Sequence, residues 1–178
     1  MAEEKKEPWL NVLALTTVIL AVAATLSTFK GGGFSTRSVL RQSQASDQWA
    51  FFQAKSIKGN LFEMEQARLA REVKVLEGEK GGTRLEEARK ALEETKAKVA
   101  KYEKEKAEIK EKAETLEKER DGALRQGAPF GLAVIFLQIA ILLSSIAALL
   151  KKKPIYFAGL AVGAVGLLYF TNGFFLFF

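Results

Sequence analysis

The chain has no cysteine and no histidine. Disulfides, thiol nucleophiles and haem or zinc ligation through those side chains are therefore excluded, and the usual general base of neutral pH is missing. Also missing is the dispersed apolar pattern of a soluble core, because the apolar residues gather at the two ends and leave a charged middle. The formal net charge of +6 does not make a field of one sign. Lysine and arginine alternate with glutamate along the middle, which is the pattern of a solvated helical face and not of a nucleic-acid surface.

Charge is absent from three stretches. Residues 9–29 contain none and are long enough, at ~1.5 Å per residue, to cross the ~30 Å hydrocarbon core. A secretory leader is the rival reading, since Ala21-Val22-Ala23 resembles a cleavage site. The acidic Glu3, Glu4 and Glu7 beside Lys5 and Lys6, and the length of the apolar run, favour an uncleaved anchor. Residues 129–150 form a second span, and residues 154–171 a third beyond Lys151-Lys152-Lys153. So short a link makes these two antiparallel neighbours. The flanks are a tail at 1–8, a glycine-rich exit at 30–34 and an apolar tail at 172–178.

The spans hold no carboxylate or cation of the kind that marks ion and proton pathways, which argues against a pump or coupled transporter. They do hold small residues at helical spacing, including Gly159, Gly163 and Gly166 in the third, where helix backbones can approach closely. No phosphate-binding loop is present: Gly31-Gly32-Gly33 lacks the strand and lysine such a loop needs, and reads as a break between a lipid-embedded helix and an aqueous one. The glutamates follow helix periodicity, so no catalytic residue, cofactor or metal site is expected.

Residues 35–128 divide at Gly78-Glu79-Lys80-Gly81-Gly82, a helix-breaking turn. In the second arm a heptad repeat places Leu85, Leu92, Val99, Lys106, Ala113 and Arg120 at a, and Ala88, Thr95, Tyr102, Ile109, Leu116 and Ala123 at d. Folding back about the turn opposes positions whose numbers sum to about 161, as an antiparallel coiled coil requires. Leu76 then meets Leu85, Val73 meets Ala88, Leu69 meets Leu92, Leu61 meets Val99, Ile57 meets Tyr102 and Phe52 meets Ile109. The expected fold is an all-α membrane protein, with three transmembrane helices and a long antiparallel coiled-coil hairpin between the first and second.

The block QASDQWAFFQAKS, residues 44–56, sets three large rings among small polar residues. Phe52 belongs to the expected seam and Trp49 lies one turn below it. Adjacent residues on a helix point ~100° apart, so Phe51 or Trp49 is left facing away. An aromatic left in that position marks a contact with a neighbouring subunit, or lies flat on its own hairpin or at the lipid headgroups. Trp49, Phe51 and Phe52, with Gly159, Gly163 and Gly166, are the candidate interface residues.

The run EPWLNVLALTTVILAVAATLSTFKGGGFSTRSVLRQSQASDQWAFFQAKSIKGNL resembles the start of a family of small bacterial membrane proteins known only as a domain of unknown function. The resemblance extends to the layout of one span, charged helices and two spans. It implies a bacterial cytoplasmic-membrane location and assigns no functional residue. The expected role is a non-enzymatic homo-oligomeric scaffold in contact with membrane lipid and not with nucleic acid, its protein partner unspecified. The alternative is an accessory or passive pore-forming subunit. Short lysine-rich loops favour the cytoplasm, so Lys5-Lys6 and Lys151-Lys152-Lys153 place the hairpin in the periplasm.

Overall fold

The computed structural model describes residues 8–79 and 81–177. Glu3, Glu4, Lys5, Lys6 and Glu7 of the tail, Lys80 of the turn and Phe178 lie outside the described residues. Those described form three helices, α1 Pro8–Gly78, α2 Gly82–Leu150 and α3 Lys153–Phe175, with no strand among them. Each helix is long and apolar enough to cross a membrane. The chain divides into two compact units, Met1–Leu40 with Glu119–Phe178, and Arg41–Lys118.

In the unit Arg41–Lys118 the chain reverses where the glycines are. Gly82 adopts φ +54°, the left-handed region that glycine enters without a steric penalty. The amide of Gly81 donates to the carbonyl of Leu76 at 3.0 Å and that of Glu79 to Val75 at 3.3 Å, which satisfies carbonyls freed at the end of α1. The arms then run antiparallel. Glu77 pairs with Arg89, Phe62 with Tyr102, Lys55 with Glu105 and Trp49 with Glu117, so partners fall in number along one arm as they rise along the other.

Every heptad position expected on α2 within this unit is buried or half-buried, Ala113 completely. On α1 the seam differs from the expected one. It runs through Ala45, Phe52, Gly59, Gln66 and Val73, alternating with Gln48, Lys55, Phe62, Leu69 and Leu76, and all are buried or half-buried. Leu61 and Ile57, expected to meet Val99 and Tyr102, are instead 60% and 64% exposed. An unbroken helix returns to one face every three or four residues. Stepping from Leu69 to Leu61 leaves the seam by about 80°, and from Ile57 to Phe52 by about 140°, so one straight helix cannot present all four. Gly59 and Phe62 fill those layers against Tyr102.

The other unit packs the apolar part of α1 against the apolar part of α2 and against α3. Leu20, Ala23 and Ala24 of α1 meet Ala133, Leu137 and Ala140 of α2, with Val162, Leu167 and Phe170 of α3 closing the cluster. A second cluster joins Leu13, Ala147 and Tyr156, where the Tyr156 and Thr16 hydroxyls lie 3.2 Å apart.

α1 lacks the break expected at its glycines, and α2 and α3 each run on through the end of an expected segment. α1 passes through Gly31-Gly32-Gly33 without the expected break, and α2 passes through Pro129, which is buried. The glycine's role at position 31 is close approach: a Cβ there would stand 3.2 Å from that of Phe130, while one at Gly127 would stand 3.1 Å from that of Phe34. The Phe34 and Phe130 rings stack, centroids 6.0 Å apart. α3 likewise continues past Thr171 to Phe175, taking in the first residues of the expected apolar tail. Asn172 is 2% exposed and Gly173 lies against the Phe130 ring, so packing overrides the turn signal of that pair.

Candidate functional site

The block at residues 44–56 is helical throughout, and each aromatic ring takes a different environment. Trp49 is half-buried, its indole N–H donates to Glu117 at 2.9 Å, and its ring meets Phe52 edge-on at 5.6 Å. Phe52 lies in the seam. Phe51 is 49% exposed and its face carries the Lys55 ammonium 5.4 Å from the ring centre. Of the two rings that could face away, it is therefore Phe51 that does.

Lys55 organises the next layer. Its ammonium donates to Glu105 at 2.6 Å and also stands 5.3 Å from the centre of the Tyr102 ring. The hydrogen bond to Glu105 raises the Lys55 pKa above its ordinary value, and the same bond from Lys55 holds the Glu105 carboxyl below its own. A heptad reading does not single out this pair. The antiparallel register could have found it, since the two positions nearly satisfy the same sum as the apolar layers.

Gly159, Gly163 and Gly166 are buried within one chain. A Cβ at Gly159 would stand 3.2 Å from that of Leu143, one at Gly163 3.2 Å from Leu20, and one at Gly166 2.8 Å from Leu137. The small-residue seam of α3 is thus filled by α1 and α2 of the same molecule. It does not converge with Trp49, Phe51 and Phe52, which belong to the other unit.

A second apolar stripe went unrecognised in the sequence. Ala50, Ala54, Ile57, Leu61, Met64 and Val75 recur along α1 at spacings of three and four, interrupted by Arg68 and Arg71, and all are exposed. Its centre lies about 150° around the helix from the seam. Its signal is the same periodicity that marks the seam, shifted in phase. Arg68 is held on its own helix by Glu65 at 2.7 Å and Glu72 at 2.9 Å.

Among the described residues no three carboxylates gather as a metal ion would need. No curated protein and no solved structure matches the chain. One family model does match, over residues 9–176, taking in all three helices almost to their ends. The chain belongs to the family described as a domain of unknown function, DUF4337.

Proposed function

We propose that this chain is a non-enzymatic integral protein of the bacterial inner membrane, and that its coiled-coil hairpins join copies into a homo-oligomeric scaffold. The observation that carries the reading is the outward stripe of Ile57, Leu61, Met64 and Val75, each more than half exposed. Apolar side chains repeated at heptad spacing on a solvated helix call for a helical partner. A second copy fits. In a parallel pairing the flanking positions meet as Gln53 with Lys58, Asn60 with Glu65 and Ala67 with Glu72, without like charges, and where Arg68 of the stripe would face its own equivalent, Glu65 and Glu72 beside it offset the repulsion, leaving Arg71 as the one stripe cation that weakens the pairing. Phe51 borders the stripe and widens it on one side.

The spans supply the anchor, their exposed apolar faces turned to lipid. The lysine-rich link at residues 151–153 faces the cytoplasm and the hairpin the periplasm, by the preference of short basic loops. Protease added outside spheroplasts is then expected to cut at the hairpin, and protection there reverses the orientation.

The assembly is tested with Leu61→Glu and Met64→Glu, whose side chains are exposed in a single copy and therefore leave its fold intact. Light scattering in mild detergent is expected to give a multiple of the 19.6 kDa chain mass for the wild type and a lower multiple for the double variant. A monomeric wild type, or a double variant of unchanged mass, overturns the scaffold reading.

A further inference from the structure

One feature of the unit Met1–Leu40 with Glu119–Phe178 has no role in the scaffold. Gly32 and Gly33 lie side by side on an exposed part of α1, and a Cβ at either would meet nothing within 4 Å. They floor an open concavity of about 620 Å³, with Phe29 and Lys30 on one side and Thr36 and Arg37 on the other. These glycines do not serve close packing within the chain, unlike Gly31, and they do not break the helix. What they leave is a notch one side chain deep.

Two further observations say what fits it. The first is charge: Lys30 and Arg37, both exposed, flank the notch, and among the described residues neither is ion-paired. Lys30 has the face of Phe174 at 5.9 Å, which leaves its ammonium protons free. Seven residues separate the two cations, about 10.5 Å along the axis, so an anion seated over Gly33 lies within reach of both flexible side chains. The second is the surface below. Leu15, Val18, Val22 and Phe29 are each more than half exposed and recur on the same face of α1 as Gly33, forming an apolar rail that ends at the notch. The rail belongs to the uncharged span, and its last phenylalanine, Phe29, is itself a wall of the notch.

We infer that the notch at Gly32-Gly33 is a specific site for the phosphate of an anionic phospholipid, held by Lys30 and Arg37, with an acyl chain lying along Leu15, Val18 and Val22. A negatively charged headgroup above a hydrocarbon tail is the chemistry that matches two cations above an apolar rail. Free phosphate would satisfy the cations and leave the rail unused. A second copy packed notch to notch would set Lys30 and Arg37 against their own equivalents, which like-charge repulsion opposes.

The inference rests on the span lying in a bilayer, as proposed above, and native mass spectrometry of the detergent-purified protein separates the two. Phosphatidylglycerol is expected to remain bound at one molecule per chain, with an affinity at least tenfold above that of phosphatidylcholine. Arg37→Gln and Lys30→Gln are each expected to erase that preference. Gly33→Leu keeps both charges but fills the notch, and it is expected to lose binding as well, whereas a non-specific basic collar would not notice it. Circular dichroism confirms that the helices persist in each variant. Equal retention of the two lipids, or full binding by Gly33→Leu, overturns the site. Displacement of phosphatidylglycerol by millimolar inorganic phosphate reassigns it to the free anion, and a changed particle mass in Gly33→Leu reassigns it to a contact between copies. Extraction of the wild type from membranes by alkaline carbonate overturns the membrane reading whatever the lipid counts show.

Discussion

Replacing Gly166 by alanine adds one methyl group where α3 presses on both the side chain and the backbone of α2. The new Cβ would stand 2.8 Å from Leu137 Cγ and 3.0 Å from the Leu137 backbone nitrogen. A flexible side-chain tip could swing aside, but Leu137 is fully buried and a backbone atom cannot move without carrying its helix. Overpacking of this kind costs about 1–3 kcal/mol, and the backbone contact puts this case near 3. Against that, alanine in a helix interior is favoured over glycine by about 1 kcal/mol. The net expectation is a loss of about 2 kcal/mol. Gly122→Ala isolates the opposing term, since that glycine is also helical and a Cβ there meets nothing within 4 Å, so it is expected to gain about 1 kcal/mol. The two variants should therefore differ by about 3 kcal/mol, or ~6–12 °C at the 2–4 °C per kcal/mol usual for a chain of this size. Thermal unfolding in one detergent, followed by far-ultraviolet circular dichroism, reads this difference directly. Two variants of equal midpoint, or a stabilised Gly166→Ala, would refute the packing argument, because then α3 has room where the structure gives it none.

Trp49→Ala is expected to lower the stability of the isolated chain by about 2 kcal/mol, through the lost bond to Glu117 and the lost contact with Phe52, while Phe51→Ala stays within about 0.5 kcal/mol and lowers the particle mass instead. Parallel unfolding and light-scattering measurements separate the two effects, and a reversed pattern would show that the rings had been assigned the wrong way round. The Lys55–Glu105 coupling, measured by a double-mutant cycle with Lys55→Met and Glu105→Gln, is expected to be constant across neutral pH. The depressed carboxyl makes its contribution fully present above its ordinary 4.5 and lost as the pH falls through its lower value in the folded protein. The raised ammonium makes its own contribution fully present below its ordinary 10.5 and lost as the pH rises through its higher folded value. Coupling that strengthens in acid contradicts the assignment.

How much of this was legible in the sequence differs between the two arms. On α2 one stripe of a and d residues stands clear of a charged background, so the heptad positions from Leu85 to Leu116 are buried or half-buried as expected. On α1 two apolar stripes share one periodicity. The seam in use contains Gln48, Lys55, Gly59 and Gln66, while the outward stripe contains Ile57, Leu61 and Met64 and is the more apolar of the two over that stretch. Matching by hydrophobicity crossed from one to the other. What decides for Lys55 is its partner across the turn: Glu105 and the Tyr102 ring make a cation acceptable in a half-buried layer. Glycine misled for a related reason. Clustered about a charged pair, it signals a turn, as Gly78 to Gly82 does; packed against another helix, it admits a neighbour, as at half-buried Gly31 and buried Gly173, and that neighbour, Phe130, is distant in sequence. The turn was readable locally, and close approach was not.

The reciprocal fit at Gly31, Phe34, Gly127 and Phe130 bears on how this protein can change over generations. Each helix offers a ring where the other offers an empty place, with Gly31 under Phe130 and Gly127 under Phe34. A larger residue at either glycine collides, and a smaller one at either phenylalanine leaves a void, so both steps out of the present state go downhill in stability. Only a paired exchange conserves volume. The four positions therefore behave as two heritable characters, and a lineage that remodels this contact must pass through a weakened ancestor or change both members of a couple together.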